Sequence, residues 1–357
     1  MAATNRHVPS PIPLPLSFKR RRKYMDITKL FYSFGLILVC SSVCNAWAKA
    51  PKTAKIVFTS ADEISREIYL MNPDGSGQVN ITNHPADDLF PAWSPTGEEI
   101  LFVSDRVRMR DLYLMDADGE NVRRIFRNHA YRHRPTWSPD GKQIAYEQIE
   151  GDERFIYTAT IDGKHEEQIG VGVQPAWSPN IQELAFCRQR RIVLLNLHTR
   201  VEKKLRPDGI AWQSKPAWSP TSDKLAFSWI LQPIEPPPGV LPGERFVIPD
   251  VWFDNETIFI INRDGTRLEQ IVDEAGPEAI WPTWSPDGTE LIYNQQVRGY
   301  FQLFKINLAN RVPEQLTHTE KALQANTLAD WFDPAFALPV SPQPQLLTTT
   351  WAEVKKK

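Results

Sequence analysis

Pro-x-Trp-Ser-Pro occurs five times in this chain, with its tryptophans at Trp93, Trp137, Trp177, Trp218 and Trp284, spaced by 44, 40, 41 and 66 residues. A period of about 40–45 residues is what one four-stranded propeller blade consumes. The repeat predicts an all-β chain, and the single long step predicts an insertion inside one blade. Fold is therefore constrained before any local propensity is weighed.

The unit from Pro135 to Ile169 shows the punctuation. Pro135-Thr136-Trp137-Ser138-Pro139 is a short extended segment, and Asp140-Gly141 turns the chain into the strand Gln143–Glu147. A polar loop leads to Phe155–Ala159, the Asp162-Gly163 turn follows, and Glu167–Ile169 closes the unit. Proline presets φ at the second turn position and glycine accepts the positive φ after it. β-branched and aromatic runs between such turns read as strands.

The ends of the chain complete the count. Lys55–Thr59, Ile68–Met71 and Val79–Thr82 match the second, third and fourth strands of a unit. Their missing inner strand is expected at Asp330-Trp331-Phe332-Asp333-Pro334, a degenerate sixth motif. Six blades follow, one built from both ends of the chain, with Trp331–Leu338 expected beside Lys55–Ser60. Such closure pairs edges that an open array would leave exposed.

The Pro-Ala-Trp-Ser-Pro and Pro-Thr-Trp-Ser-Pro motifs, with Ile-Ala-Tyr strands and Asp-Gly turns after them, resemble TolB-like beta-propeller repeats across roughly residues 53–338. The resemblance implies an exported six-bladed propeller that binds protein partners. It extends to the propeller part only, because the stretch before Lys55 has no room for the N-terminal α/β domain of TolB itself. Similar propellers precede the hydrolase domain of the prolyl oligopeptidase family, but no Gly-x-Ser-x-Gly elbow is present here.

Residues 1–48 read as an N-terminal extension and signal peptide, with Met25 as an alternative start. Lys19-Arg20-Arg21-Arg22-Lys23 and Lys29 precede the apolar run Leu30–Val43, and Ala46-Trp47-Ala48 offers a cleavage site before Lys49. The run is short for a membrane span. The expected location is periplasmic or secreted, the alternative being a membrane anchor retained at residues 30–48. Residues 49–338 form the propeller, with a proline-rich insertion at 229–253, and 339–357 form a tail. The mature part carries 34 basic and 42 acidic residues, which argues against nucleic acid as a partner. Of the cysteines only Cys187 remains after cleavage; it alternates with Leu184 and Phe186 and reads as a core thiol.

In four-stranded antiparallel blades the Ser-Pro and Asp-Gly turns share one face. The interblade loops and the loops between second and third strands share the other. The second set varies in sequence, and variable loops on a rigid scaffold are where binding concentrates. That face holds the binding candidates Tyr131, Arg132, His133, Trp212, Trp252, His84, His129 and His318. Arg106, Arg108, Arg110, Arg132 and Arg134 could form an anionic-ligand patch there, although scattered solvated charge is the plainer reading. The motif tryptophans read as packing between blades.

The expectation is a monomeric, non-enzymatic recognition module for a protein partner or an envelope glycan, with no cofactor. The alternative is a metal-dependent polysaccharide lyase or hydrolase. It would use His84, His129, His133 and His318 near the axis, since neutral imidazole is a good transition-metal ligand. No spacing among them is diagnostic. His165-Glu166-Glu167 starts like a zinc-protease helix but lacks the second histidine, which Ile169 replaces.

Overall fold

The computed structural model describes residues 49–62, 64–205, 213–230, 256–273, 276–318 and 324–339. The chain divides into two units, Met1–Trp47 and Ala48–Lys357, of which the first lies outside the described residues. In the second unit the described residues form six four-stranded antiparallel sheets and no helix. The inner strands are Asp88–Trp93, Tyr131–Trp137, Val173–Trp177, Gln213–Trp218, Ala279–Trp284 and Ala325–Phe332. The first five open blades two to six. The sixth pairs with Lys55–Ala61 and completes blade one.

The repeated motif explains how each blade starts. After the tryptophan, the serine N–H and Oγ both bond the first residue of the second strand. Ser138 N donates to Gln143 O at 2.8 Å while Gln143 N donates to Ser138 Oγ at 2.9 Å. Ser94, Ser178, Ser219 and Ser285 repeat the pair. Three of the tryptophans then tie blade to blade. Trp137, Trp218 and Trp284 donate Nε1–H to the carbonyls of Ala92, Ala176 and Ala217 on the neighbouring inner strands. The core is divided into six hydrophobic clusters, each spanning one interface between blades.

Every inner strand is also bulged at the same place. Three residues before the tryptophan, Phe90, Arg134, Gln174, Lys215, Trp281 and Leu328 all have φ between 44° and 60°. The register shifts across these positions. A bulge turns its N–H out of the ladder, and a buried N–H needs another acceptor. For three of the bulges a buried side chain of the preceding blade supplies it. Glu147 accepts from Gln174 N at 2.6 Å, Ser228 from Trp281 N at 3.2 Å and Asn294 from Leu328 N at 3.3 Å. These polar groups sit within the core because the backbone requires them there.

Closure follows the expected pairing but not its expected extent. The closing strand is Ala325–Phe332, in register from Lys55↔Phe332 to Ala61↔Ala325, and not Trp331–Leu338. The reason is that the motif tryptophan ends an inner strand, with the turn after it. At the seam Phe332 replaces serine and fills the interface beside Trp93, at 5.4 Å between ring centroids. Gly97 is required there, since a Cβ on it would lie 2.1 Å from the Phe332 ring.

Candidate functional site

The six inner strands enclose an axial cavity of about 460 Å³. Its wall can be read in tiers from the bulge toward the turn-rich face. The bulged residues form the first tier. Arg134 lies 5.3 Å from the Phe90 ring centroid and bonds both Glu147 oxygens at 3.1 Å. Lys215 Nζ lies 4.7 Å from the Trp281 centroid and 3.2 Å from both Glu256 oxygens. Two cations are thus stacked against aromatics and neutralised by buried carboxylates. Pro91, Pro135, Pro175, Pro216 and Pro282 form the next tier. Below them lie Ala92, Thr136, Ala176, Ala217, Thr283 and Asp330, then Trp177, Trp218, Trp284 and Trp331.

Asp330 departs from the small residues of its tier. Its Oδ2 accepts from Trp93 N at 2.7 Å and its Oδ1 from Trp331 N at 2.9 Å. Burial pushes its pKa up to about 6, against the lowering effect of those two N–H donors. The carboxylate lines the channel at the seam where the two ends of the propeller meet.

The sequence-predicted candidates are dispersed. Tyr131 is half-buried, its ring 4.5 Å from that of His133. Arg132, expected on the loop surface, is completely buried. It bonds Asp111 at 3.0 Å and Glu166 at 3.0 Å, and its guanidinium lies 3.8 Å from the Phe126 ring centroid. Stacking and ion pairing draw it into the core, so it holds blades together and offers nothing to a ligand. His133 is buried as well. Burial first, then the charges of Arg110, Arg134 and Arg154, lower its pKa to about 3 and keep the ring neutral. His84 accepts the Ala86 N–H through Nδ1 at 3.0 Å, while its own N–H points at the Glu67 carboxylate. His129 and His318 are exposed. Trp212 and Trp252, like most of the insertion, lie outside the described residues.

The arginine patch is also reduced by pairing. Arg106 bonds Asp88 at 2.8 Å, Arg110 approaches Asp87 at 3.6 Å, and Arg134 is held by Glu147. Among the described residues, no three His, Cys, Asp or Glu side chains group as a metal site would require. Cys187 is a buried thiol pushed up to about 12 by burial. Sequence reasoning missed the bulged tier and Asp330. Counting three residues back from each tryptophan would have found the tier.

This fold and channel define a closed six-bladed propeller, and comparisons agree. The family model for the TolB beta propeller domain matches residues 36–222, just over half of the chain. The chain belongs to that family. Matching solved structures include TolB from Acinetobacter baumannii, with 16% identity, TM-score 0.63, and coverage of 84% of this chain and 71% of that one. A nidogen/laminin complex matches with 12% identity, TM-score 0.57, and 77% and 97% coverage. A Mycobacterium tuberculosis puromycin-hydrolyzing peptidase matches with 12% identity, TM-score 0.51, and 76% and 44% coverage. The fold is thus shared by enzymes and by proteins solved in complexes. No curated protein matches the chain. Among the described residues, no helix is long and apolar enough to cross a membrane.

Proposed function

We propose that this chain is an exported, non-enzymatic recognition module. It binds another macromolecule, a protein before an envelope glycan, with the face of its interblade loops and second-to-third-strand loops. One observation carries the reading: the two faces differ in kind. On the turn-rich face the Ser-Pro and Asp-Gly turns are short and internally bonded, as in Ser138 to Asp140 at 2.7 Å and Thr160 to Asp162 at 2.6 Å. The opposite loops differ from blade to blade in length and chemistry: Tyr131 is half-buried over His133, and the sequence between the paired strands ending at Ile230 and starting at Glu256 is much longer than the other connections. A rigid ring presenting one variable face suits recognition. Membership of the TolB beta propeller family supports it, and the basic-then-apolar segment before Lys49 supports export.

The test is site-specific photo-crosslinking in the native host, with the reactive side chain at Tyr131 and, as control, at Asp162 on the turn-rich face. A discrete protein adduct from Tyr131 alone is expected. Adducts from Asp162 alone would mean the faces are reversed. Metal-dependent cleavage of an acidic polysaccharide by purified protein would overturn the non-enzymatic reading. N-terminal sequencing of the native protein should begin near Lys49, and an intact Leu30–Val43 segment would favour the anchor.

A further inference from the structure

We propose that the axial channel binds an alkylammonium cation, seated on the Asp330 carboxylate among the channel-lining indoles of Trp177, Trp218, Trp284 and Trp331. The site is separate from the variable-loop face and does not rest on its role.

Three observations carry this. First, Asp330 is a channel carboxylate with no cationic partner among the described residues. Both of its bonds are to backbone N–H groups, one on each oxygen. A carboxylate offers about four acceptor positions, so capacity remains on the channel side. Arg134 and Lys215 do not serve it, because Glu147 and Glu256 already hold them. Second, the surroundings suit an organic cation and not a metal ion. Calcium takes roughly six to eight oxygen ligands, whereas this tier supplies one carboxylate, and no acidic cluster stands among the described residues. Trp177, Trp218 and Trp284 are packed mainly between blades and reach the channel only with a small exposed part, but aromatic side chains beside a single negative charge still suit an ammonium group better than a metal ion. Ala92, Ala176 and Ala217 on the same tier leave room for an alkyl stem.

Third, the order of tiers along the axis gives a direction. The ion-paired tier of Arg134 and Lys215 lies two residues back along the strands from Asp330, about 7 Å at the usual strand rise. A cation arriving from the variable-loop face would have to pass this tier and the prolines before reaching Asp330. From the turn-rich face it meets the turn prolines Pro179, Pro220 and Pro286 and then the indoles before Asp330. The ammonium group therefore enters from the turn-rich side.

A lysine side chain of a protein and a small free amine share this chemistry. Calorimetric titration of the mature chain with Nα-acetyl-lysine amide, its norleucine counterpart, cadaverine, a lysine-containing peptide and calcium chloride tests the site. One lysine amide should bind per chain. The norleucine amide, lacking the charge, should bind at least tenfold more weakly, and Asp330→Asn should weaken the lysine amide at least tenfold. If that variant does not fold, the lysine–norleucine comparison on the native chain decides alone. A peptide tighter than cadaverine supports a protein source, and equal affinities support a small amine. Equal binding of both amides, unchanged binding by a folded Asp330→Asn variant, absence of binding, or stoichiometric displacement by calcium would each overturn the proposal.

Discussion

Replacing Phe332 by alanine should destabilise the whole propeller, although the residue stands near the end of the last strand. Phe332 is 5% exposed, packs with Trp93, Val57 and Ile100, and covers Gly97. Removing a buried phenylalanine costs about 3–5 kcal/mol, transfer and cavity together. In a domain of this size each kcal/mol is worth about 2 °C in Tm, so the fall should be about 6–10 °C. Phe336→Ala is the matched control, because Phe336 is 57% exposed and its loss should move Tm by about 1 °C. Phe332→Ser adds a second check. It restores the residue that Ser94, Ser138, Ser178, Ser219 and Ser285 supply in the other blades, yet it leaves the seam unfilled and should not rescue stability. Differential scanning calorimetry of the three variants provides the reading. A fall below about 2 °C for Phe332→Ala, or one equal to that of Phe336→Ala, would refute the seam as a closure that holds the ring together.

Glu147→Ala should cost about 3–5 kcal/mol in urea unfolding, since it strands Arg134 and the Gln174 N–H in a buried setting. Glu147→Gln keeps an acceptor and should lose less; equal losses would argue against the N–H cap. His133 should show no imidazole titration by NMR between pH 8 and pH 5, given its pKa of about 3, and a midpoint above pH 5 would contradict its burial among arginines. Asp330 has a folded pKa near 6, above the ordinary 3.8. Its protonation therefore favours the folded state fully below about pH 4, and that contribution is lost as pH rises through about 6. The stability of the native chain relative to Asp330→Asn should fall between pH 4 and pH 7, and a flat difference would exclude the shift.

The architecture was legible because its determinants are side chains. Trp137 must reach the Ala92 carbonyl and Ser138 must bond Gln143, so the same letters return in each blade. The channel tier was not legible for the opposite reason. At Phe90, Arg134, Gln174, Lys215, Trp281 and Leu328 the shared constraint is a backbone φ, met by side chains with nothing else in common. Arg132 misled for a third reason. In sequence it sits in a run of histidines and arginines that reads as surface, and only the tertiary placement of Phe126, Asp111 and Glu166 draws it inward. Of the eight binding candidates, Arg132 and His133 proved to be core residues. Cys187 is buried as expected, but on the face of Ala185 and not that of Leu184 and Phe186, because this strand is buried on both faces.

The seam also fixes how the disc can be held. Lys55 opens its strand opposite Phe332, which ends the other, so both ends of the propeller chain emerge on the turn-rich side. Ala50 and Ala337 pack on the same cluster, and the Leu338 N–H reaches the Pro95 carbonyl of the neighbouring turn. A tether at either end would therefore moor that side toward its anchorage and turn the variable loops outward. The strand that closes the ring thus puts both of its ends on the face opposite the variable loops.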